Sequence, residues 1–296
     1  MTVPYERIHV VINPASGKDE PILNVLNDVF HQYGVDWEAS ITKQYGDATR
    51  FARQAAEAGF DLVAGYGGDG TQHEISNGVI GKTAVMGVLP GGTGNGFANE
   101  LNIPKTLREA VELLCTSHYQ RHIDAVQQGD NYFIQRLYVG IEPEEQTSRE
   151  SKDKYGTFAY PIDAYHRARG AKEHDFRLTV DGELIEMPAM KCYIVNSAQS
   201  GTSISVTGGL SSPDDGLVDV FVLDTKNLET LRSATNRVLH LHTRRAENFF
   251  WRGKEITIDA DPDQPVWTDG EYAGRTPVTA KVIPGAITVA APEEKK

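Results

Sequence analysis

Cysteine is nearly absent from this chain of 296 residues, with Cys115 and Cys192 the only two and no pair at metal-binding spacing. Two distant cysteines exclude a disulfide framework and a cysteine-rich zinc site, and they suit a reducing cytoplasm. Positive charge is also scarce: 29 lysines and arginines stand against 41 acids, a formal net charge of -12. A nucleic-acid partner is not expected, because its footprint should be basic. Constitutive electrostatic docking on an anionic membrane is disfavoured for the same reason. No apolar run approaches the ~18 residues of a spanning helix. The N-terminus, Met1 to Arg7, lacks the basic and apolar regions of a signal peptide. A chain of 40% apolar residues can still build a sizeable core, and its length suggests two domains.

Several familiar chemical motifs are incomplete. Gly65-Tyr66-Gly67-Gly68-Asp69-Gly70 spells G-x-G-x-x-G, but the acid that would hold a dinucleotide ribose ~20 residues on is missing. Gly81-Lys82-Thr83 resembles the end of a phosphate-binding loop, yet residue 76 is Ser and the segment lies between a helix and a strand. His73-Glu74 begins a zinc-protease pattern without its second histidine, since residue 77 is Asn. The pairs His118/His122 and His240/His242 have no third ligand nearby, and no G-x-S-x-G supports a serine hydrolase.

What is present is an alternation. Ile8–Ile12, Trp37–Ile41, Asp61–Ala64 and Ala84–Leu89 read as strands. Between and after them, segments from Ile22, from Asp47 to Ala58, from Thr71 to Ile80 and from Glu109 to Leu114 read as helices. Such alternation predicts an N-terminal Rossmann-like α/β domain with a parallel sheet, residues 1–119. Thereafter strands predominate: Tyr119–Val126, Tyr132–Val139, Phe176–Val180, Lys191–Asn196, Leu217–Leu223, Glu255–Ile258 and Val278–Val289, interrupted by a helical candidate at Leu228–His242. Residues 120–292 are therefore expected to form an all-β, antiparallel sandwich domain, with 293–296 a frayed tail. Residues 144–169 are polar and charged and follow neither period.

Two glycine-rich loops carry the chemistry. Gly67-Gly68-Asp69-Gly70-Thr71 follows one strand and opens a helix, whose N-terminus offers unpaired N–H groups to an anion. Pro90-Gly91-Gly92-Thr93-Gly94-Asn95-Gly96 follows the next strand. Loops at the carboxyl ends of successive parallel strands face one crevice, where open α/β sheets bind ligands. There Thr71 and Thr93 can donate to phosphate oxygens and Asp69 can engage Mg²⁺; the alternative is a pair of tight turns.

These loops, with Asn13-Pro14-Ala15-Ser16-Gly17 and Glu74-x-x-Asn77-Gly78, resemble the catalytic domain of the diacylglycerol kinase family. In the second half Lys154-Tyr155-Gly156-x-Phe158-Ala159-Tyr160, Asp214-Asp215-Gly216-Leu217-Val218-Asp219 and Asp269-Gly270-Glu271 follow in the same order. The resemblance implies an ATP- and Mg²⁺-dependent lipid kinase, with ATP enclosed between the two domains and phosphate passed to a hydroxyl of diacylglycerol or a similar lipid. By that likeness Asn13, Ser16, Gly67, Gly68, Thr71 and Thr93 lie near the nucleotide. Asp69 organises Mg²⁺ and the γ-phosphate, Asp124 joins the same metal network, and Glu271 is the general base. Asp215 ligates a separate structural Mg²⁺, with carbonyls near Ser212 and Leu217 beside it. The residues alone also allow Glu271 and Asp214-Asp215-Gly216 to be turn residues and Asp124 to be structural. Gly96 stands where the family has an acid, His73 where it has Asn, and Phe133–Gly140 lacks the small-residue character usual there. Two alternatives follow: an NAD-kinase-like phosphotransferase with a soluble acceptor, and a catalytically silent nucleotide- or lipid-binding regulator. The expected setting is cytoplasmic, with transient contact to the membrane that presents the lipid, and a homodimer left open. Arg232, Arg237, Arg244, Arg245, Arg252 and Lys254 around Phe249-Phe250-Trp251 read either as a basic membrane face or as core aromatics with helix-capping arginines.

Overall fold

Short β-branched apolar runs separated by amphipathic helices are what a parallel sheet requires, and the first half of the chain forms one. The computed structural model describes residues 3–16, 19–140, 172–197, 212–224 and 250–293. The described chain divides into two compact units: one up to Ala125 that takes the chain back from Pro284, the other from Val126 to Ile283.

In the first unit, β1 (Arg7–Ile12) pairs in parallel with β2 (Asp36–Ile41) and β3 (Leu62–Gly67), and β3 pairs with β4 (Val85–Pro90). The order is β2-β1-β3-β4. Every residue of β3 and β4 is buried, the pattern of strands covered on both faces. Helix α1 (Ile22–Tyr33) packs with α5 (Leu107–Thr116), and α2 (Asp47–Glu57) with α3 (Asp69–Val79). Thr106 is the N-cap of α5: its Oγ1 accepts from Glu109 N and donates to Glu109 Oε2. One short helix, α4 (Gly96–Glu100), follows β4.

Two strands close this unit. β16 (Val278–Ala290) lies parallel to β4 where Val289 faces Met86, and β5 (Gln120–Gln128) pairs with β16. The unit thus extends to Ala125, past the change of texture at 119. Pairing of β5 with the returning C-terminal strand is the reason.

The second unit is antiparallel throughout. One layer has the order β12-β11-β10-β7-β14-β15, from Phe250–Gly253, Val218–Leu223, Lys191–Val195, Arg136–Val139, Pro265–Thr268 and Glu271–Arg275. The other joins the first half of β16 to β13 (Glu255–Asp261), β8 (His174–Val180) and β9 (Glu183–Ala189). Leu137, Ile194, Val220, Val266, Phe176 and Ile258 belong to one buried cluster to which both layers contribute. Sandwich and parallel sheet are both as expected. The continuous strand expected at Tyr132–Val139 is instead two, β6 (Asn131–Phe133) paired with β5, and β7. The expected helix at 228–242, the 144–169 segment and the 154–160 motif lie outside the described residues.

Gly78 explains how α2 and α3 approach. A Cβ there would stand 2.6 Å from Ala52 Cβ and 2.7 Å from Thr49 O. Backbone cannot yield as a flexible side chain can. Gly78→Ala should therefore cost about 1–3 kcal/mol despite the helix propensity it adds, read from urea unfolding; equal or greater stability would show that the helices are not packed this tightly.

Candidate active site

Because β1, β3 and β4 are neighbours and parallel, the loops that follow them emerge at one edge of the sheet. After β1, Asn13 donates from Nδ2 to Thr71 Oγ1 at 2.9 Å and accepts Ala15 N on Oδ1 at 3.0 Å. Ser16 Oγ donates to Asn13 O at 2.7 Å. Loop β1 is thereby tied to the first turn of α3. After β3 the chain is extended at Gly68 before α3 begins at Asp69. A Cβ on Gly67 would stand 2.3 Å from Thr71 Oγ1, and one on Gly92 2.6 Å from Gly68 Cα. Only glycine lets the two loops approach so closely.

Asp69 locks that approach. Its Oδ2 accepts Gly96 N at 3.0 Å and its Oδ1 accepts Phe97 N at 2.9 Å. A carboxylate at the start of α3 thus satisfies the first N–H groups of α4, which lack intrahelical acceptors. Asn95, in the left-handed region at φ 49°, closes the second loop by accepting Gly92 N and donating to Gly92 O. Thr71 is buried within this arrangement and Thr93 is exposed at the loop tip. The absence of an acid at residue 96 has a local counterpart: the backbone N–H of Gly96 itself meets Asp69.

The rest of the α3 motif is structural. Glu74 Oε2 accepts Gly46 N at 2.8 Å and Ala48 N at 3.1 Å, capping α2 from another helix. Burial raises the Glu74 pKa, more than these N–H groups lower it. Asn77 donates to His73 O at 3.0 Å. Burial also raises the Tyr66 pKa, reinforced by Glu20, which accepts its hydroxyl at 2.6 Å. Asp124, 2% exposed on β5, accepts Gly285 N at 2.8 Å where β16 turns at a positive φ. Both cysteine thiols are buried and raised in pKa, that of Cys115 to about 12, so neither is a thiolate nucleophile.

In the second unit, Asp269 and Gly270 have φ of 47° and 96°, the two-residue turn that joins β14 to β15. Asp269 accepts three N–H groups, from Ile134 at 2.9 Å, Gln135 at 3.0 Å and Arg136 at 2.8 Å. Asn196 holds the other side of that segment, donating from Nδ2 to Ile134 O at 2.9 Å. This grip ends β6 and starts β7. Glu271, the first residue of β15, is exposed beside the turn and opposite Thr268.

Ser212, Asp215 and Leu217 are together, and the Asp215 carboxylate is already engaged by the chain. Asp215 Oδ2 is paired with Arg252 Nη2, Oδ1 accepts Leu217 N at 3.0 Å, and Ser212 Oγ donates to Asp214. Among the described residues no group of three or more His, Cys, Asp or Glu side chains is placed to hold a metal. Of the basic stretch, residues 232–249 lie outside the described residues, and Trp251 packs against the core cluster. No helix among the described residues is long and apolar enough to cross a membrane.

Comparison with known proteins covers both halves of the chain. Residues 7–127 match the family described as diacylglycerol kinase catalytic domain, and residues 136–291 the YegS C-terminal NAD kinase beta sandwich-like domain. The chain belongs to this diacylglycerol kinase family. It is 27% identical to a diacylglycerol kinase of Staphylococcus saprophyticus, with 98% of this chain and 97% of that one covered. Against a diacylglycerol kinase of Staphylococcus aureus strain MRSA252 the identity is 28%, covering 98% and 93%. A crystal structure of a diacylglycerol kinase from Bacillus anthracis str. Sterne superposes with a TM-score of 0.82 at 25% identity, over 97% of this chain and 98% of that one. A second structure from that organism gives 0.85 at 24% identity, over 99% and 98%, and bears on the fold alone.

Removing the Asp269 side chain leaves three N–H groups without their acceptor and puts alanine at a positive φ. Asp269→Ala should lose about 3–5 kcal/mol in urea unfolding, and Asp269→Asn, which keeps one acceptor oxygen, should lose less. Equal stability of all three proteins would remove Asp269 from the architecture of β6 and β7.

Proposed function

We propose that the chain is an ATP- and Mg²⁺-dependent lipid kinase that transfers the γ-phosphate to a hydroxyl of diacylglycerol or a similar lipid. The observation that carries this reading is the pair of glycine loops clasped by Asp69 at adjacent strand ends. Phosphoryl transfer asks a protein for positioning and charge neutralisation more than for covalent chemistry. A loop whose glycines bring bare backbone together, next to the N-terminus of an 11-residue helix, is suited to phosphate oxygens.

In this reading Gly67, Gly68 and Thr71 cradle the phosphates and Thr93 meets them from the second loop. Asn13 and Ser16 shape the wall on the β1 side, Asn13 by fixing the Thr71 hydroxyl. Asp69 keeps both loops in register, its oxygens accepting the α4 amides, and places negative charge where a cation is wanted. Mg²⁺, when bound, would offset the charge of the transferring group. Asp124 fixes the Gly285 turn and acts through position. Glu271 takes the proton of the lipid hydroxyl. The lipid is presented by a membrane that the enzyme visits transiently from the cytoplasm.

Two variants test the division of labour. Glu271→Gln should lower kcat by about 10²–10⁴-fold with ATP affinity unchanged, and near-normal turnover would remove Glu271 from the chemistry. Asp69→Asn should abolish Mg²⁺-dependent turnover and also lower the unfolding midpoint, since it loosens α4; a rate equal to wild type would sink the clasp as a catalytic feature. With labelled ATP and a lipid panel, label should partition into the organic phase. Label only in a water-soluble product would favour an NAD-kinase-like acceptor, and lipid binding without transfer a silent regulator.

A further inference from the structure

The expected structural cation beside Asp215 has a competitor from the chain itself. Arg252 lies on β12 directly opposite Asp219 on β11 in the antiparallel ladder. That register delivers the guanidinium to a carboxylate 1% exposed, with Nε 2.8 Å from Asp219 Oδ1 as an ion pair outside hydrogen-bond geometry. The same guanidinium reaches Asp215 Oδ2 through Nη2, while the other Asp215 oxygen takes Leu217 N at 3.0 Å. Its side chain is 30% exposed and that of Asp215 26%, so the group is partly withdrawn from water.

We propose that Arg252 takes the part of the divalent cation in this chain, holding the turn at residues 212–217 to β11 without metal. A planar guanidinium can bond two carboxylates at once and is weakly hydrated, which suits a half-buried bridge. Mg²⁺ asks instead for near-octahedral oxygen ligands at about 2.0–2.1 Å and gives up water reluctantly. To bind at Asp215 it would sit against a fixed positive charge or displace it. Displacement strips the buried Asp219 of its guanidinium, and a buried carboxylate that loses its partner is costly. Gly216, between Asp215 and β11, has a φ of 73°, a conformation that favours glycine.

Thermal unfolding of the nucleotide-free protein decides the matter, and no step of it involves ATP or lipid, so it stands or falls apart from the kinase reading. Wild-type protein should show the same Tm in EDTA and in millimolar Mg²⁺ or Ca²⁺. Arg252→Gln should lose roughly 5 °C or more, and Arg252→Lys, which keeps the charge but not the two-carboxylate reach, should fall between. Should Arg252→Gln not fold, Arg252→Lys against wild type supplies the same comparison. The proposal is overturned if Mg²⁺ raises the wild-type Tm and Asp215→Asn abolishes the rise. It is equally overturned if neither arginine variant lowers the Tm.

Discussion

Two backbone loops that meet at glycine have no side chains with which to hold each other, so something else must fix their spacing. Here it is the Asp69 carboxylate, which begins one helix and accepts the opening N–H groups of the next at 2.9–3.0 Å. The rest of the first unit is arranged around that contact. β3 and β4 must be adjacent for the loops to touch, and the buried faces of both strands keep them so. Asn13 ties a third loop in through Thr71. Charge-assisted bonds to backbone N–H are among the stronger ones a protein makes, and a charge placed at a helix start also gains from the helix dipole.

The same device recurs, and it gives the acidic composition a structural meaning. Glu74 caps α2, Asp124 holds the Gly285 turn, and Asp61 accepts the N–H groups of Glu6 and Arg7 as β1 begins. In the second unit Asp181 and Asp269 each occupy the first position of an Asp-Gly turn, and each reaches across to the N–H groups of a neighbouring segment. Part of the net charge of -12 is therefore scaffolding. It is spent on orphan amides at element ends, which hydrophobic burial cannot satisfy.

Sequence made the parallel strands, the glycine loops and the Asp-Gly turn at 269–270 legible because each is a local pattern: period, φ preference, or a dipeptide. What it left dark is non-local. Nothing in Phe133-Ile134-Gln135-Arg136 marks a break between strands; the break exists because Asp269 and Asn196, 60 or more positions away, take its backbone groups. Glu183–Ala189 alternates too weakly to read as a strand, since as β9 it lies at the edge of its sheet and buries only Ala189 fully. The partner of Asp215 was equally hidden, because Arg252 reaches it only through the β11–β12 register. The sequence shows the charge that Asp69 can offer a ligand but not the helix that it caps.

Acids in such a site differ in what their oxygens already hold. A carboxylate whose oxygens are committed to backbone N–H groups is held in place, which suits a positioning role. Asp69, Asp124 and Asp269 are all of this kind. Glu271 differs. It is exposed at the head of β15, anchored by the rigid turn that Asp269 fixes, and its side chain has no hydrogen bond among the described residues. A general base needs an accessible oxygen on a backbone that does not move. In the proposed kinase Glu271 meets that requirement, while its neighbour Asp269 supplies the rigidity.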